Sequence, residues 1–379
     1  MRHYLDHAST SELRPEAREA VVAALGLPAG DPGRIHDEAM AARVRLEQAR
    51  DQVAGLVGCR AREVVFTSGA TESIVAATWG AVRRHTDRVP GVAPRVALAA
   101  VEHSAVREAA TTFASDVDVV GVDGTGRLDV AELLAAVDER TALVHVQWAN
   151  HEVGTLQPVA EVVAACRERG VLVHVDAAQA VGHVAVAFDA LGADLLSCSA
   201  HKLGGPAGVG ALLVRRGLRI PPLLVGGDQE RARRAGLEPV AAIAGFGAAC
   251  EALAGGRLDV EAATARRLTG RVVGLAGSLD GVPVYGDPDL RAPHLVCLGI
   301  EGVEPQAVLL GLDRAGIAAH SGSACSSESL EPSPVLRAMG VDAHRSLRIS
   351  VGWSTGDADI DALEVALPRV LAELRALGG

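Results

Sequence analysis

Of the 36 basic side chains in this 379-residue chain, only one is a lysine, Lys202. A soluble chain of this length ordinarily carries about 20 lysines. Arginine can replace lysine as a surface charge, but it cannot lose its proton and attack a carbonyl carbon. Lys202 is therefore a candidate nucleophilic amine, the alternative being a chance survivor on the surface. Asparagine is also reduced to one copy, Asn150. Ser68-Gly69-Ala70-Thr71 joins a β-rich run to a helical one, where backbone N–H groups and the helix dipole can hold a phosphate. The same residues also suit a simple turn and N-cap. Asp176, with Gln179 three residues on, offers a carboxylate that can keep a proton on a heteroaromatic nitrogen, or an N-cap. His103, after Glu102, is either an acid–base group or a packed capping histidine.

The elements that must position these groups alternate. Short β-rich runs (EVVFTS, RVALAA, ALVHVQW, VLVHVDAAQ, DLLSCSA, GVGALLVRR) are interleaved with helical stretches between residue 63 and about 215. This predicts βα units building a mostly parallel sheet with both faces covered. Ligands of such sheets gather at the carboxyl ends of the strands, where Ser68 to Thr71, His103, Asn150, Asp176, Gln179 and Ser199 to Lys202 fall. Helices are predicted at about 11 to 25 and 41 to 57. Near 256 the character changes to a long Arg-rich helix, the runs VPVYG and HLVCLGIEG, a helix from Glu304 to Ala315, the run SLRISVGW and a last helix from Asp357 to Leu377. The fold class is α/β, with a large domain over 16–255 and a smaller α+β domain made of 1–15 and 256–379.

A phosphate cradle, an aspartate and the only lysine at three strand ends of one sheet suit pyridoxal 5′-phosphate, which needs a phosphate anchor, a pyridinium partner and a Schiff-base lysine. A nicotinamide site on Gly204 to Gly210 fits poorly, because those glycines precede a strand-like run and do not open a helix. The net charge of −11 argues against nucleic acid or an anionic membrane as a partner. No window approaches 18 uninterrupted apolar residues, and polar His3, Asp6 and His7 stand where a signal peptide needs an apolar core, so a cytoplasmic protein is expected. The six cysteines form no CxxC pair, so free thiols and no metal site are expected.

Together the ordered motifs YLDHAST, DPGRIH, FTSGATES, EHSAV, NHEVGTLQP, HVDAAQAVG, SCSAHKLGGPAGVGAL, SGSACSSESLEPSPVLRAMG and SLRISVGWST resemble the cysteine desulfurases of the class V aminotransferase group over nearly the whole chain. The resemblance implies a seven-stranded PLP-transferase large domain. It also implies that Lys202 carries the cofactor and moves protons, with His201 beside it. Ala70, Thr71 and Ser199 would contact the phosphate, Asp176 the pyridine nitrogen and Gln179 the phenolic oxygen. His103 would stack on the ring and act in acid–base steps, Asn150 would sit by cofactor and substrate, and Arg348 would clamp the carboxylate of L-cysteine. Cys325, in a small-residue stretch expected to be a mobile loop, would take the sulfur as a persulfide, leaving L-alanine, and pass it to an acceptor protein. A homodimer is implied, each subunit's 226–237 segment completing its partner's site.

The chain departs from the family pattern at Asp228, Leu237, His151 and His294, which stand where the family has Gly, Thr, Asn and Asn. The other readings are a related PLP lyase or aminotransferase of selenocysteine-lyase type, and a catalytically silent sulfur-transfer partner. Cys325 speaks against a transaminase, and the kept lysine against a silent partner.

Overall fold

The computed structural model describes residues 2–321 and 332–378; Cys325 lies outside them. Its strands are β1 (His3–Tyr4), β2 (Val64–Thr67), β3 (Arg95–Ala99), β4 (Asp116–Val120), β5 (Thr141–Gln147) and β6 (Leu172–Asp176). They continue with β7 (Leu195–Ser199), β8 (Gly210–Val214), β9 (Val284–Tyr285), β10 (Leu295–Gly299), β11 (Ile317–Ala318) and β12 (Ser346–Ser350).

Seven of them form one sheet in the order β2-β8-β7-β6-β5-β3-β4. β4, β3, β5, β6 and β7 run parallel, while β8 is antiparallel to both its neighbours, β7 and β2. The α/β expectation is met. Every residue of β5 and β7 is buried, as a parallel sheet covered on both faces requires. β4 is absent from the sequence reading because it is the sheet's edge: Asp116 and Asp118 alternate with valines, and such charges protect an unpaired edge. Arg95 of β3 gathers Asp116, Asp118 and Asp138 there.

Two predicted helix starts move. The first helix runs Pro15–Leu25, since proline at its first position suits the missing N–H. Residues before it are tied to the sheet end instead, with Ser11 N donating to His201 O at 2.8 Å and Arg14 N to Gly204 O at 2.9 Å. The second helix begins at Asp37, where the His36 side chain accepts from Ala39 N.

The large sheet and its helices enclose apolar side chains such as Phe66, Val146, Val175, Phe188 and Phe246. A second cluster joins Leu5, Leu268, Val272, Val296, Leu298, Leu347, Leu363 and Leu367. It lies between the antiparallel β12-β10-β9 sheet and the helices Arg257–Gly277 and Asp357–Gly378. The N-terminal segment links the two: β1 pairs with β11, Leu5 is in the second cluster, and Ala8 and Ser9 reach the carboxyl end of the large sheet. No helix among the described residues is long and apolar enough to cross a membrane.

Candidate active site

The carboxyl ends of the parallel strands open into a cavity of about 600 Å³, a size ordinary for a cofactor site. It brings together Ala70, Thr71, His103, Asp176, Gln179, Ser199, His201, Lys202 and Arg348, all singled out in the sequence. Asn150 is not among its walls.

Lys202 ends a short 3₁₀ turn, Ala200–Lys202, directly after β7, and its Nζ donates to Ala8 O at 2.6 Å and Ser9 O at 2.9 Å. Burial, and then the Arg348 cation, lower its ammonium to about 8. A neutral amine is therefore accessible near neutral pH, as a carbonyl-attacking lysine needs. His201 beside it is lowered to about 4 by burial and by Lys202. It is neutral at working pH, with Nδ1 3.2 Å from Thr10 Oγ1.

Across the cavity the helix Ala70–Arg88 points its N-terminus inward, and no side chain among the described residues caps its first turn. Glu72 Oε2 accepts from Ser68 N at 2.8 Å and thereby holds the strand-to-helix turn. Packing under this turn is tight. A Cβ on Gly210 would stand 2.7 Å from Gly69 Cα and 2.5 Å from Cys198 O, so β8 can pass beneath the cradle only as glycine.

Asp176 closes β6. Burial pushes its carboxyl up, while donation from Ala178 N at 3.0 Å and Ser197 Oγ at 3.3 Å works the other way. The sequence left an N-cap open for it, but only a turn follows. Gln179 Nε2 donates to Ala8 O at 2.9 Å and its Oε1 lies 3.0 Å from His294 Nε2. His103 caps the helix Ser104–Phe113, with its Nδ1 accepting from Ala105 N at 3.1 Å. Burial, then His151 and Lys202, lower His103 to about 3. It is thus a neutral ring whose Nε2 bears the proton.

Arg348, on β12, is 1% exposed. Its NH1 donates to His151 O at 2.7 Å, and its NH2 to Ser9 Oγ at 2.7 Å and Asp6 Oδ1 at 3.0 Å. Its Nε is buried with no partner among the described residues, a spare donor of the kind an anionic ligand satisfies. Asn150 is fully buried. Its Oδ1 accepts from Glu152 N and Val153 N at 2.9 and 2.8 Å, and its Nδ2 donates to Val101 O at 3.2 Å, so the side chain builds the turn after β5.

Sequence reasoning missed Ala8 and Ser9, whose carbonyls hold Lys202, and His320, which joins the cavity wall and bridges to Arg348. The YLDHAST motif was the available signal for the first two. Cys166, Cys198, Cys250 and Cys297 are buried and Cys59 partly so; burial pushes the Cys59 and Cys198 thiols up to about 12. These are poor thiolates. Leu237 is 62% exposed, and Arg234 is spent on Glu72 in its own chain at 2.9 Å.

Comparison with known proteins agrees with this arrangement. Residues 3–363 match the family described as Aminotransferase class-V. The chain is 41% identical over 381 residues to the cysteine desulfurase of Enterobacter agglomerans, covering 99% of this chain and 94% of the relative. A solved NifS-like protein superposes with a TM-score of 0.90 at 30% identity, covering 99% of this chain and all of that one. A second solved structure, SspA in complex with cysteine, gives a TM-score of 0.81 at 26% identity and covers 93% of this chain. The chain belongs to the class-V aminotransferase family. Within it the enzyme class is cysteine desulfurase, a reading carried by full-length relatives at about 40% identity.

Proposed function

We propose that the cavity holds pyridoxal 5′-phosphate on Lys202 and uses it to take sulfur from L-cysteine, leaving L-alanine and a persulfide on Cys325. The observation that carries this reading is the only lysine of the chain standing, with a lowered affinity for protons, between an uncapped helix N-terminus and a buried aspartate. The residues fit that cofactor: Ala70, Thr71, Ser199 and His201 for the phosphate, Asp176 for the ring nitrogen, Gln179 for the phenolic oxygen and the His103 ring for the face. When bound, the cofactor supplies an electron sink that labilises bonds at the substrate's α-carbon.

The chain's own residues supply the rest. Arg348 offers a planar guanidinium with a spare Nε donor, which suits the substrate carboxylate and fixes its orientation. Asp176, buried in a site that raises its proton affinity, would hold the ring nitrogen and keep a proton there. Lys202 Nζ, once free of the Ala8 and Ser9 carbonyls, accepts or returns a proton on its side of the cavity. His103, whose Nδ1 is taken by Ala105 N, presents Nε2–H as a donor to the same cavity. Asn150 stays outside the cavity wall, and its share in binding is through the turn it builds.

This reading extends to a large unit over 16–255 and a small one of 1–15 and 256–379, supported by the apolar cluster around Leu298 and Leu363, whose buried members all come from 1–15 and 256–379. It also extends to a homodimer, supported by the exposed Ile35, Met40, Val44, Val225 and Leu237. A cytoplasmic location and delivery of sulfur to an acceptor protein complete it. The SspA structure with cysteine supports L-cysteine as substrate. The test is direct: borohydride reduction of the yellow protein fixes the cofactor to the peptide containing Lys202, and L-cysteine, with an added thiol reductant to cleave the persulfide, yields alanine and sulfide in equal amounts. Unmodified Lys202 from a fully coloured, reduced sample would refute it.

A further inference from the structure

His151 stands where the family has asparagine, lines the cavity and is 7% exposed. Its Nε2 lies 3.6 Å from Glu152 Oε1, and its Nδ1 is buried without a partner among the described residues. Glu152 is 1% exposed, and its other oxygen accepts from Ser333 Oγ at 2.5 Å. Ser333 is itself fixed as the cap of the helix Pro334–Ala338, accepting from Leu336 N at 3.1 Å. A carboxylate facing Nε2 draws the proton to that nitrogen and leaves a lone pair on Nδ1.

His103 is arranged the opposite way. Its Nδ1 lone pair is taken by Ala105 N, so the atom it can offer is a donor. The two rings meet edge to face with centroids 5.1 Å apart. One ring thus brings a proton and its neighbour brings a lone pair. The His151 carbonyl accepts from Arg348 NH1, which places this residue beside the guanidinium proposed to take the substrate carboxylate.

We propose that His151 is the proton acceptor for the α-ammonium group of incoming L-cysteine, with Glu152 as its positioning residue. It rests on the desulfurase reading above. An N–H bond of the ammonium breaks, an Nδ1–H bond forms, and the electron pair stays on the substrate nitrogen, which becomes the neutral amine that carbonyl addition requires. The positive charge moves onto the imidazole, where Glu152 and Asp176 favour it and Arg348 and His103 oppose it. Lys202, His201 and His320 face the same cavity.

The experiment follows the absorbance change of the cofactor-loaded protein on mixing with L-cysteine, and separately with methoxyamine, an amine already neutral near pH 7. In His151→Asn at about pH 7 the L-cysteine phase is expected to slow about tenfold, or about 1.4 kcal/mol. It should recover at about pH 9, above the usual α-amino range. The methoxyamine phase should stay within about twofold of wild type at both pH values. Glu152→Gln, which removes the charge that favours the imidazolium, should move the acid limb of the L-cysteine profile towards acidic pH while leaving methoxyamine unchanged. Equal slowing of both probes would make His151 a structural residue and overturn the proposal, as would an unchanged L-cysteine phase. A wild-type protein that responds to methoxyamine but never to L-cysteine would overturn the desulfurase reading and the proposal with it.

Discussion

Glu230→Gln tests how the 226–237 segment is held against the cavity. Glu230, Arg231 and Ala232 have φ of 49°, 59° and 60°, three consecutive residues with side chains in the left-handed region. Each such residue costs roughly 1–2 kcal/mol, so the turn stores roughly 3–6 kcal/mol. What opposes it is a bidentate pair, Arg50 NH1 and NH2 to Glu230 at 2.7 Å each, with the side chains 2% and 1% exposed. Phe66 N also donates to Glu230 at 2.8 Å, and the Arg50 guanidinium lies 4.7 Å from the Phe66 ring centroid. Removing one charge of a buried pair costs roughly 3–5 kcal/mol, because the other is left uncompensated. With a urea slope of about 3 kcal/mol/M, the unfolding midpoint of Glu230→Gln is expected to fall by roughly 1 to 1.7 M. Arg234 lies just beyond the turn and grips Glu72, which in turn holds Ser68 N at the cradle, so cofactor release during dialysis should also quicken. Ala232→Gly is the control with the opposite sign. Glycine adopts this φ freely, so the variant should gain about 1 kcal/mol with cofactor retention unchanged. An unchanged urea midpoint in Glu230→Gln, or a less stable Ala232→Gly, would refute the reasoning.

Arg348→Lys keeps the charge but loses the planar fork, and is expected to cost about 1–3 kcal/mol in substrate binding, read as a rise in the L-cysteine concentration for half-maximal turnover. An unchanged concentration dependence would move the carboxylate site elsewhere. Cys325→Ser should retain the absorbance change with L-cysteine and release no sulfide. Wild-type sulfide yield would assign the nucleophile to another thiol. Burial lowers His145 to about 3, and His174, 2.9 Å away, well below its ordinary 6.5 by burial and then by His145. Both are neutral in the folded protein and protonated in the unfolded chain below about 6.5, so their stabilising contribution is present above that pH and lost as pH falls. At about pH 5 the pair alone should give a slope of about 2.7 kcal/mol per pH unit, measured by urea unfolding across pH. A slope unchanged in a His145→Gln, His174→Gln double variant would refute this.

The sheet was legible because its strands obey the simplest pattern, continuous apolar runs ending in residues that can do chemistry. β5, β6 and β7 each end on or just before a residue named from sequence. β4 was not legible, because an edge strand carries the charges that erase the pattern. The first helix start, near residue 11, was placed too early because local periodicity runs past a boundary set by proline and by tertiary contacts such as Arg14 with Gly204 O and Glu261, and the second, near 41, was placed too late because its first turn, capped by His36, carries the polar Asp37 and Glu38. The lysine stood out by type, whereas its partners Ala8 and Ser9 act through backbone carbonyls, which no side-chain pattern reports.

Asn150 and His151 show how far residue type alone can carry an argument. Scarcity singled out Asn150, and the structure accounts for it by geometry: an acceptor that takes two successive backbone N–H groups closes the turn after β5, and arginine or alanine cannot do that. The turn it closes sets the next residue facing His103 and Arg348. A polar residue required for backbone reasons can thus determine which neighbour meets the substrate. In this chain that neighbour is an imidazole with a buried carboxylate near one nitrogen and no partner on the other among the described residues. If Asn150 is the support and His151 the reagent, Asn150→Asp should keep the turn, since a carboxylate oxygen accepts the same two N–H groups, while its added charge raises the proton affinity of His151 beside it. The acid limb of L-cysteine binding should then shift to higher pH, and the urea midpoint should fall because the second carboxylate oxygen is buried against Val101 O, which the amide Nδ2 otherwise satisfies. Asn150→Ala should lower stability and binding without that pH shift, and an acid limb unmoved in a folded Asn150→Asp protein would mean that Asn150 does not act through His151.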